Sequence, residues 1–350
     1  MSRHTAISEW LGSLGYVHFT LAPASADASF RSYWRVTCAD GSTYIVMDAP
    51  PQQEPLTPFL MIARALWQMG LHVPQIFAED HQLGFLLLSD LGSRHYLSAL
   101  VQPQTPDETP EQLYGAAITA LITLQQRGRE VVEPLLPPYS AALLAREMAL
   151  FSDWFIAQQL QLTLTVAEHE LLATLYQQLI DSALAQPQVV VHRDYHSRNL
   201  MVTSPNPGVI DFQDAVVGPV TYDLVSLLRD CYISWPLSQQ QRWITDYLTQ
   251  ARAAGLLLEV SDHTFFQWFS RMGMQRHLKA IGIFSRLNIR DKKPGYLNDI
   301  PRTFNYLTSA LSADPAFSCY TPLFARIAEA ISRQPPFSHL MTDVNGEASL

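Results

Sequence analysis

The chain has 350 residues, of which 48% are hydrophobic and 16% charged, and it carries a formal net charge of -9. A chain of this size buries a large core and is expected to form two lobes. Its acidic field disfavours a nucleic-acid polymer as partner, because phosphate contacts need clustered Lys and Arg. Cys38, Cys231 and Cys319 are odd in number and show no CxxC spacing, so they read as reduced packing residues rather than as a disulfide framework or a zinc site. The opening run MSRHTAISEWLGSLG lacks an apolar leader core, and no stretch approaches the roughly 18 apolar residues of a membrane span. The expectation is a cytoplasmic protein with no membrane partner, and nothing in the pattern indicates a protein partner.

Residues 1–90 are expected to mix short strands with one helix. Tyr33–Thr37 and Thr43–Met47 flank the turn Ala39-Asp40-Gly41-Ser42 and predict a hairpin. Phe59–Met69 carries apolar residues at helical spacing and stops at Gly70, and Gly84–Leu88 is a short apolar run that leads into Ser89-Asp90. Pro103–Pro110 predicts a surface loop. Beyond it the pattern is mainly helical, with one face marked by Leu113, Ala117, Leu121 and Leu124 and another by Leu144, Met148, Phe151 and Phe155. The predicted domains are 1–90, 91–335 and a flexible tail over 336–350.

One passage interrupts the helices. VVVHRDYHSRNLMV, then TSPNPG, then VIDFQDA sets polar residues at the ends of short apolar strands. Transfer of a phosphoryl group from ATP needs a carboxylate near the accepting hydroxyl, and a second carboxylate with a further oxygen ligand to hold magnesium on the phosphates. Asp194, Asp211 and Asn199 supply that set. Asp and Asn also serve as plain turn formers between strands, but the whole set together favours chemistry. His192 is expected to hydrogen-bond the loop rather than act as the base.

His192, Asp194 and Asn199 fit the HxDxxxxN loop pattern, and Ile210-Asp211-Phe212 follows at the distance of a metal-binding Asp motif; with these residues the chain resembles the aminoglycoside phosphotransferase family. That resemblance implies an α+β, two-lobed, protein-kinase-like fold, with a small β-rich N-lobe and a large, mostly helical C-lobe. It implies ATP and magnesium as cofactors, Asp194 as catalytic base, and Asn199 and Asp211 as metal ligands. For the nucleotide it points to Ser29 and Arg31 beside the phosphates and to Ser89 in the segment Leu86–Asp90 that would meet the adenine. Asp223, in the segment Gly218–Leu224, is expected to brace the catalytic loop through backbone N–H groups. One departure stands out: the strand position where the family carries a phosphate-binding lysine is Met47, so an arginine such as Arg31 or Arg35 substitutes, the register is displaced, or ATP binds with fewer cationic contacts; Glu54 is the candidate for the helix glutamate that pairs with that lysine in the family.

The runs ASFRSYWRV, YIVMDAPPQ, LLLSDLG and VIDFQDAVVGPVTYDLVSLLRD are similar to a bacterial branch of that family whose members phosphorylate the anomeric hydroxyl of N-acetylmuramate and N-acetylglucosamine during cell-wall recycling. The implied partner is a small-molecule amino sugar. His196, Arg198 and Asp214, near the loop in sequence, are the candidate substrate contacts, and the helical region Arg271–Lys279 is a further candidate for lining the cleft. An aminoglycoside would call for an acidic acceptor cleft. A choline-like alcohol would call for an aromatic cage, for which Trp154, Trp235 and Trp268 are available. A nucleotide-binding protein without catalysis is the remaining alternative, suggested by Met47.

Overall fold

The computed structural model describes residues 2–26, 30–334 and 337, and it divides into two compact units. The first comprises Met1–Leu135 with Arg198–Asp214, and the second Leu136–Ser197 with Ala215–Leu350. The first unit runs past the boundary expected near residue 90 and takes in the helices that follow it and the later segment 198–214. Apart from Phe337, the tail expected over 336–350 lies outside the described residues, as does Ser29.

In the first unit, β1 (Phe19–Ala26), β2 (Ser32–Cys38), β3 (Thr43–Asp48), β4 (Ile76–Asp80) and β5 (Phe85–Ser89) form an antiparallel sheet in the order β1-β2-β3-β5-β4. The β2–β3 turn is a hairpin for a local reason. Gly41 takes φ +83°, a region closed to most side chains, and Asp40 accepts the Ser42 N–H at 2.9 Å. Val36, Val46, Phe85 and Leu87 point to one face and bury Ile7, Trp10 and Leu11 of α1 (Arg3–Ser13). This helix is additional to the one expected before residue 90. Only three of its residues are buried, too few to give a periodic signal in the sequence.

The expected helix is α2 (Leu56–Gln68), which starts three residues earlier than the apolar spacing indicates. It is followed by α3 (Tyr96–Val101) and α4 (Pro110–Val131), the latter capped by Thr109 with proline at its first position. The loop before α4 is anchored by the buried Glu108, which pairs with Arg94.

The second unit begins with α5 (Ala141–Leu150), a π-helical stretch over Phe151–Gln159 and α6 (Val166–Leu184). Strand β6 (Gln188–Val191) then leads to the loop His192–Asn199; β7 (Leu200–Met201) and β8 (Gly208–Val209) form a small hairpin in the first unit; and β9 (Val216–Pro219) returns to pair with β6, Val191 opposite Val216. Helices α7 (Tyr222–Leu228), α8 (Leu237–Ala253), α9 (Asp262–Asp291), α10 (Ile300–Ala313) and α11 (Thr321–Ser332) complete it. The long α9 crosses α5 closely at Gly282, where a Cβ would sit 2.4 Å from the Leu150 carbonyl carbon. Only glycine permits that approach.

Candidate active site

The first unit contains a cavity of about 300 Å³. Its walls alternate in character: Ile45, Leu88 and Met201 are apolar, whereas Ser89 and Asp90 stand on one side and Asn199 and Asp211 on another. A flat, apolar slot with a few aimed polar groups is the usual form of a nucleotide-sized site. Arg35 also lines it. Its guanidinium binds Asp90 through Nε at 2.6 Å and Nη2 at 3.1 Å, and Nη2 donates to the Gly92 carbonyl at 2.8 Å. Burial pushes the Asp90 carboxyl up, but the Arg35 guanidinium and the Gly92 N–H prevail and hold it below its ordinary value. Ser89 lines the same cavity, its hydroxyl accepting the Gln75 N–H at 2.9 Å.

Within this cavity Asn199 Nδ2 donates to Asp211 Oδ2 at 3.1 Å, and Gln213 Nε2 donates to Asp211 Oδ1 at 2.6 Å. Asp211 has φ +66°, a left-handed conformation that a non-glycine residue adopts at some cost. The amide and carboxylate oxygens of this pair are hard donors of the type magnesium takes. Among the described residues no group of three or more His, Cys, Asp or Glu is placed to hold a metal by itself, so a cation here would complete its shell with phosphate oxygens and water.

Of the other nucleotide and substrate candidates, Arg198 lines the cavity with Asn199, whereas Arg31 does not. Arg31 is instead paired with Glu54 at 2.9 Å, both side chains largely buried. Met47 is fully buried, opposite Tyr33 and Leu86 in the sheet, and is not part of the cavity wall. Asp214 is exposed at the end of the unit's last segment and is likewise not in the wall.

The second unit holds Asp194. Strand β6 delivers the buried His192, whose backbone N–H donates to Asp223 at 2.6 Å, and the Arg193 N–H donates to the same carboxylate at 3.0 Å. Arg193 has φ +76°, so the chain reverses sharply just before the aspartate. Asp194 N–H donates to His192 Nδ1 at 3.3 Å, and Ser197 N–H donates to the buried Asp230 at 3.0 Å. Two carboxylates, one in the first turn of α7 and one just past its end, thus hold both ends of the loop. Burial lifts the Asp223 carboxyl to about 7 against the pull of those two N–H groups.

Around Asp194 lies a set of cations that the sequence did not single out as a group. Glu147 of α5 binds Arg193 at 2.6 Å and Lys279 of α9 at 3.3 Å, and it accepts the Tyr139 hydroxyl. Lys279 Nζ also donates to the Tyr222 hydroxyl at 3.0 Å. Burial alone would raise the half-buried Asp194 carboxyl, but Lys279, His196, His192 and Arg276 outweigh it and keep the carboxyl below its ordinary value. The region Arg271–Lys279 was singled out as a possible lining of the cleft. Within it, Lys279 is the residue whose charge weighs most on Asp194. Glu147 carried no signal: it is one acidic residue on a helix whose visible pattern is apolar. His196 is half-buried, with its ring edge-on to Tyr232 at 5.4 Å, and Trp235 packs edge-on against the buried Trp243 at 5.4 Å.

A hard-oxygen pair in the first unit and a carboxylate held ionised in the second are groups of the kinds that phosphoryl transfer uses. Residues 20–258 match the phosphotransferase enzyme family, and the chain belongs to it. It is 45% identical over 308 residues to the N-acetylmuramate/N-acetylglucosamine kinase of Pseudomonas putida, covering 88% of each chain, and 41% identical over 332 residues to the protein of the same name from Neisseria meningitidis, covering 95% of this chain and 97% of that one. Among solved structures, the fold is similar to choline kinase LicA from Streptococcus pneumoniae (TM-score 0.60, 14% identity, 87% of this chain and 99% of that one). It is also similar to the amicoumacin kinase hAmiN in complex with AMP-PNP, Ca2+ and Ami (TM-score 0.55, 17% identity, 97% of this chain and 100% of that one). The fold is therefore the α+β, kinase-like one expected from the loop motif. No helix among the described residues is long and apolar enough to cross a membrane.

Proposed function

We propose that the protein is an ATP-dependent kinase that phosphorylates the anomeric hydroxyl of N-acetylmuramate and N-acetylglucosamine. The observation that carries the substrate is the 45% identity, over 88% of both chains, with a kinase bearing those two sugars in its name. The chemistry is carried by Asp194. A carboxylate lodged beside Lys279 and Arg276 is ionised at neutral pH and ready to accept a proton. The anomeric hydroxyl is more acidic than an ordinary alcohol, so a base with a low pKa suffices if proton transfer follows the loosening of the bond to the γ-phosphorus.

In this reading Asp194 orients the sugar hydroxyl, the sugar oxygen bonds to the γ-phosphorus as the bond to the ADP oxygen breaks, and the proton passes to Asp194. The products are ADP and a sugar 1-phosphate. Asn199 and Asp211 are the residues that would hold magnesium, which when bound neutralises the charge on the phosphate oxygens. The apolar walls at Ile45, Leu88 and Met201 would take the adenine, with the chain at Ser89 beside it. Arg198 is the cation nearest the metal pair in sequence, and it shares their cavity wall. It is therefore a stronger candidate than Arg31 for a phosphate contact, since Arg31 is engaged by Glu54. His196, on the loop itself, is the candidate acceptor contact.

The test is phosphate transfer from ATP, with magnesium, to N-acetylmuramate, N-acetylglucosamine, choline and kanamycin, with each amino sugar's reduced alcohol alongside. Transfer to the sugars but not to their alcohols is expected. Transfer to the alcohols would move the reaction away from the anomeric position, and transfer to choline or kanamycin alone would replace the substrate class.

A further inference from the structure

We infer that Arg286 recognises the carboxylate of the acceptor's lactyl group, a contact made with N-acetylmuramate and denied to N-acetylglucosamine, which lacks that group. The inference rests on the amino-sugar reading above and names the part of the second unit that tells its two acceptors apart.

Arg286 lies on α9 and is half-buried, yet it makes no hydrogen bond or ion pair with any described residue, and its Nε is shielded from solvent with nothing to donate to. A buried donor left without an acceptor is costly and calls for an explanation. Burial and the neighbouring Arg290 both disfavour its charge, and Asp291 only partly offsets them. Two other cations at this end of the helix are in use. Arg290 is paired with Asp291 at 2.7 and 2.9 Å, and Lys292 Nζ donates to the Ile289 carbonyl at 2.9 Å. Those two fit the general preference for positive charge at a helix C-terminus. Arg286 stands a turn further back and donates to no carbonyl, so that preference does not account for it.

Its position relates it to the reacting group. Arg286 follows Lys279 by seven residues on one continuous helix, which places it about 10.5 Å further along the axis and within roughly 20° of the same face. Lys279 is the cation whose field acts most on Asp194. The face of α9 that serves the base therefore runs on to Arg286 after a distance comparable to a pyranose ring with its substituent.

A line of aromatic rings links the loop of Asp194 to this stretch of α9. His196 of the catalytic loop meets Tyr232 at 5.4 Å, Tyr232 meets Phe284 at 6.2 Å, and Phe284 stacks on Tyr296 at 5.7 Å. Tyr232 and Tyr296 are half-buried and present ring surface of the kind that lines small-molecule sites. In a chain of net charge -9, an anionic sugar needs a local cation to approach at all. A guanidinium is the side chain best matched to a carboxylate, because two parallel N–H donors meet its two oxygens.

The experiment measures kcat/KM for N-acetylmuramate, its lactyl methyl ester and N-acetylglucosamine with the wild-type protein, Arg286→Met and Arg286→Lys. In Arg286→Met, the ratio of kcat/KM for N-acetylmuramate to that for N-acetylglucosamine should fall at least about tenfold, through KM, as expected for loss of a charge-assisted pair. Arg286→Lys should recover part of the ratio. The wild-type protein should discriminate against the methyl ester to the same degree, an arm that requires no variant to fold. An unchanged ratio in Arg286→Met, or an ester handled as well as the acid, would overturn the inference. Wild-type protein that phosphorylates neither sugar would instead overturn the proposed function.

Discussion

Asp211 in the first unit and Asp194 in the second are both carboxylates on short segments between strands, but their surroundings differ in kind. Asp211 accepts from the amides of Asn199 and Gln213, neutral donors on side chains that can turn away when a cation arrives. Asp194 stands in the field of Lys279 and Arg276, charges fixed on α9. The difference matches the two tasks. In the proposed roles a metal ligand must release its resting partners at each nucleotide exchange, whereas a base must begin each cycle ionised so that it can accept the proton. The first surrounding is exchangeable and the second is permanent.

The comparison is broken most directly by exchanging each carboxylate for a neutral group. Asp211→Ala should remove the magnesium dependence of nucleotide binding altogether, as read by calorimetric titration of ATP with and without the metal. Asp194→Asn should leave that binding in place and lower kcat by at least about 10²-fold. If Asp194→Asn weakens ATP binding as much as Asp211→Ala does, the two carboxylates do not have separate roles.

A smaller effect sharpens the idea of a permanent field. Lys279→Met removes the cation that most depresses the Asp194 carboxyl, so the pKa of Asp194 should rise and the acid limb of the pH–kcat profile should move to higher pH. A purely structural role for Lys279 would lower stability without moving that limb. The smallest expected effect tests how the field is held. Gly282→Ala should force α9 away from Leu150 and lower stability by about 1–3 kcal/mol, measured by urea unfolding.

How much of this was legible in the sequence follows from how far apart the interacting residues lie. The β2–β3 hairpin was readable because Asp40 and Gly41 set it locally. The loop from His192 to Asn199 and the following Asp211 were readable because their chemistry is packed into one short passage. The Glu147–Lys279 pair was not, since its members are brought together by the crossing of α5 and α9, and a helical pattern reports only the apolar face. Helix α1 was missed because its three buried residues, Ile7, Trp10 and Leu11, mark little more than one turn, and the Arg35–Asp90 pair because its members lie 55 residues apart. Met47 was visible as a departure from the lysine pattern, but only the sheet register shows that the residue is enclosed and leaves the cavity wall to Ile45.

The two carboxylates that grip the catalytic loop have a practical corollary. Asp223 and Asp230 bind backbone N–H groups of His192, Arg193 and Ser197, so much of that loop's path is set from α7 through contacts that the His196 side chain does not make. A protein engineer can therefore treat position 196 as an adjustable one. Replacing His196 to suit a different acceptor should change what the loop presents while leaving Asp194 aimed as before.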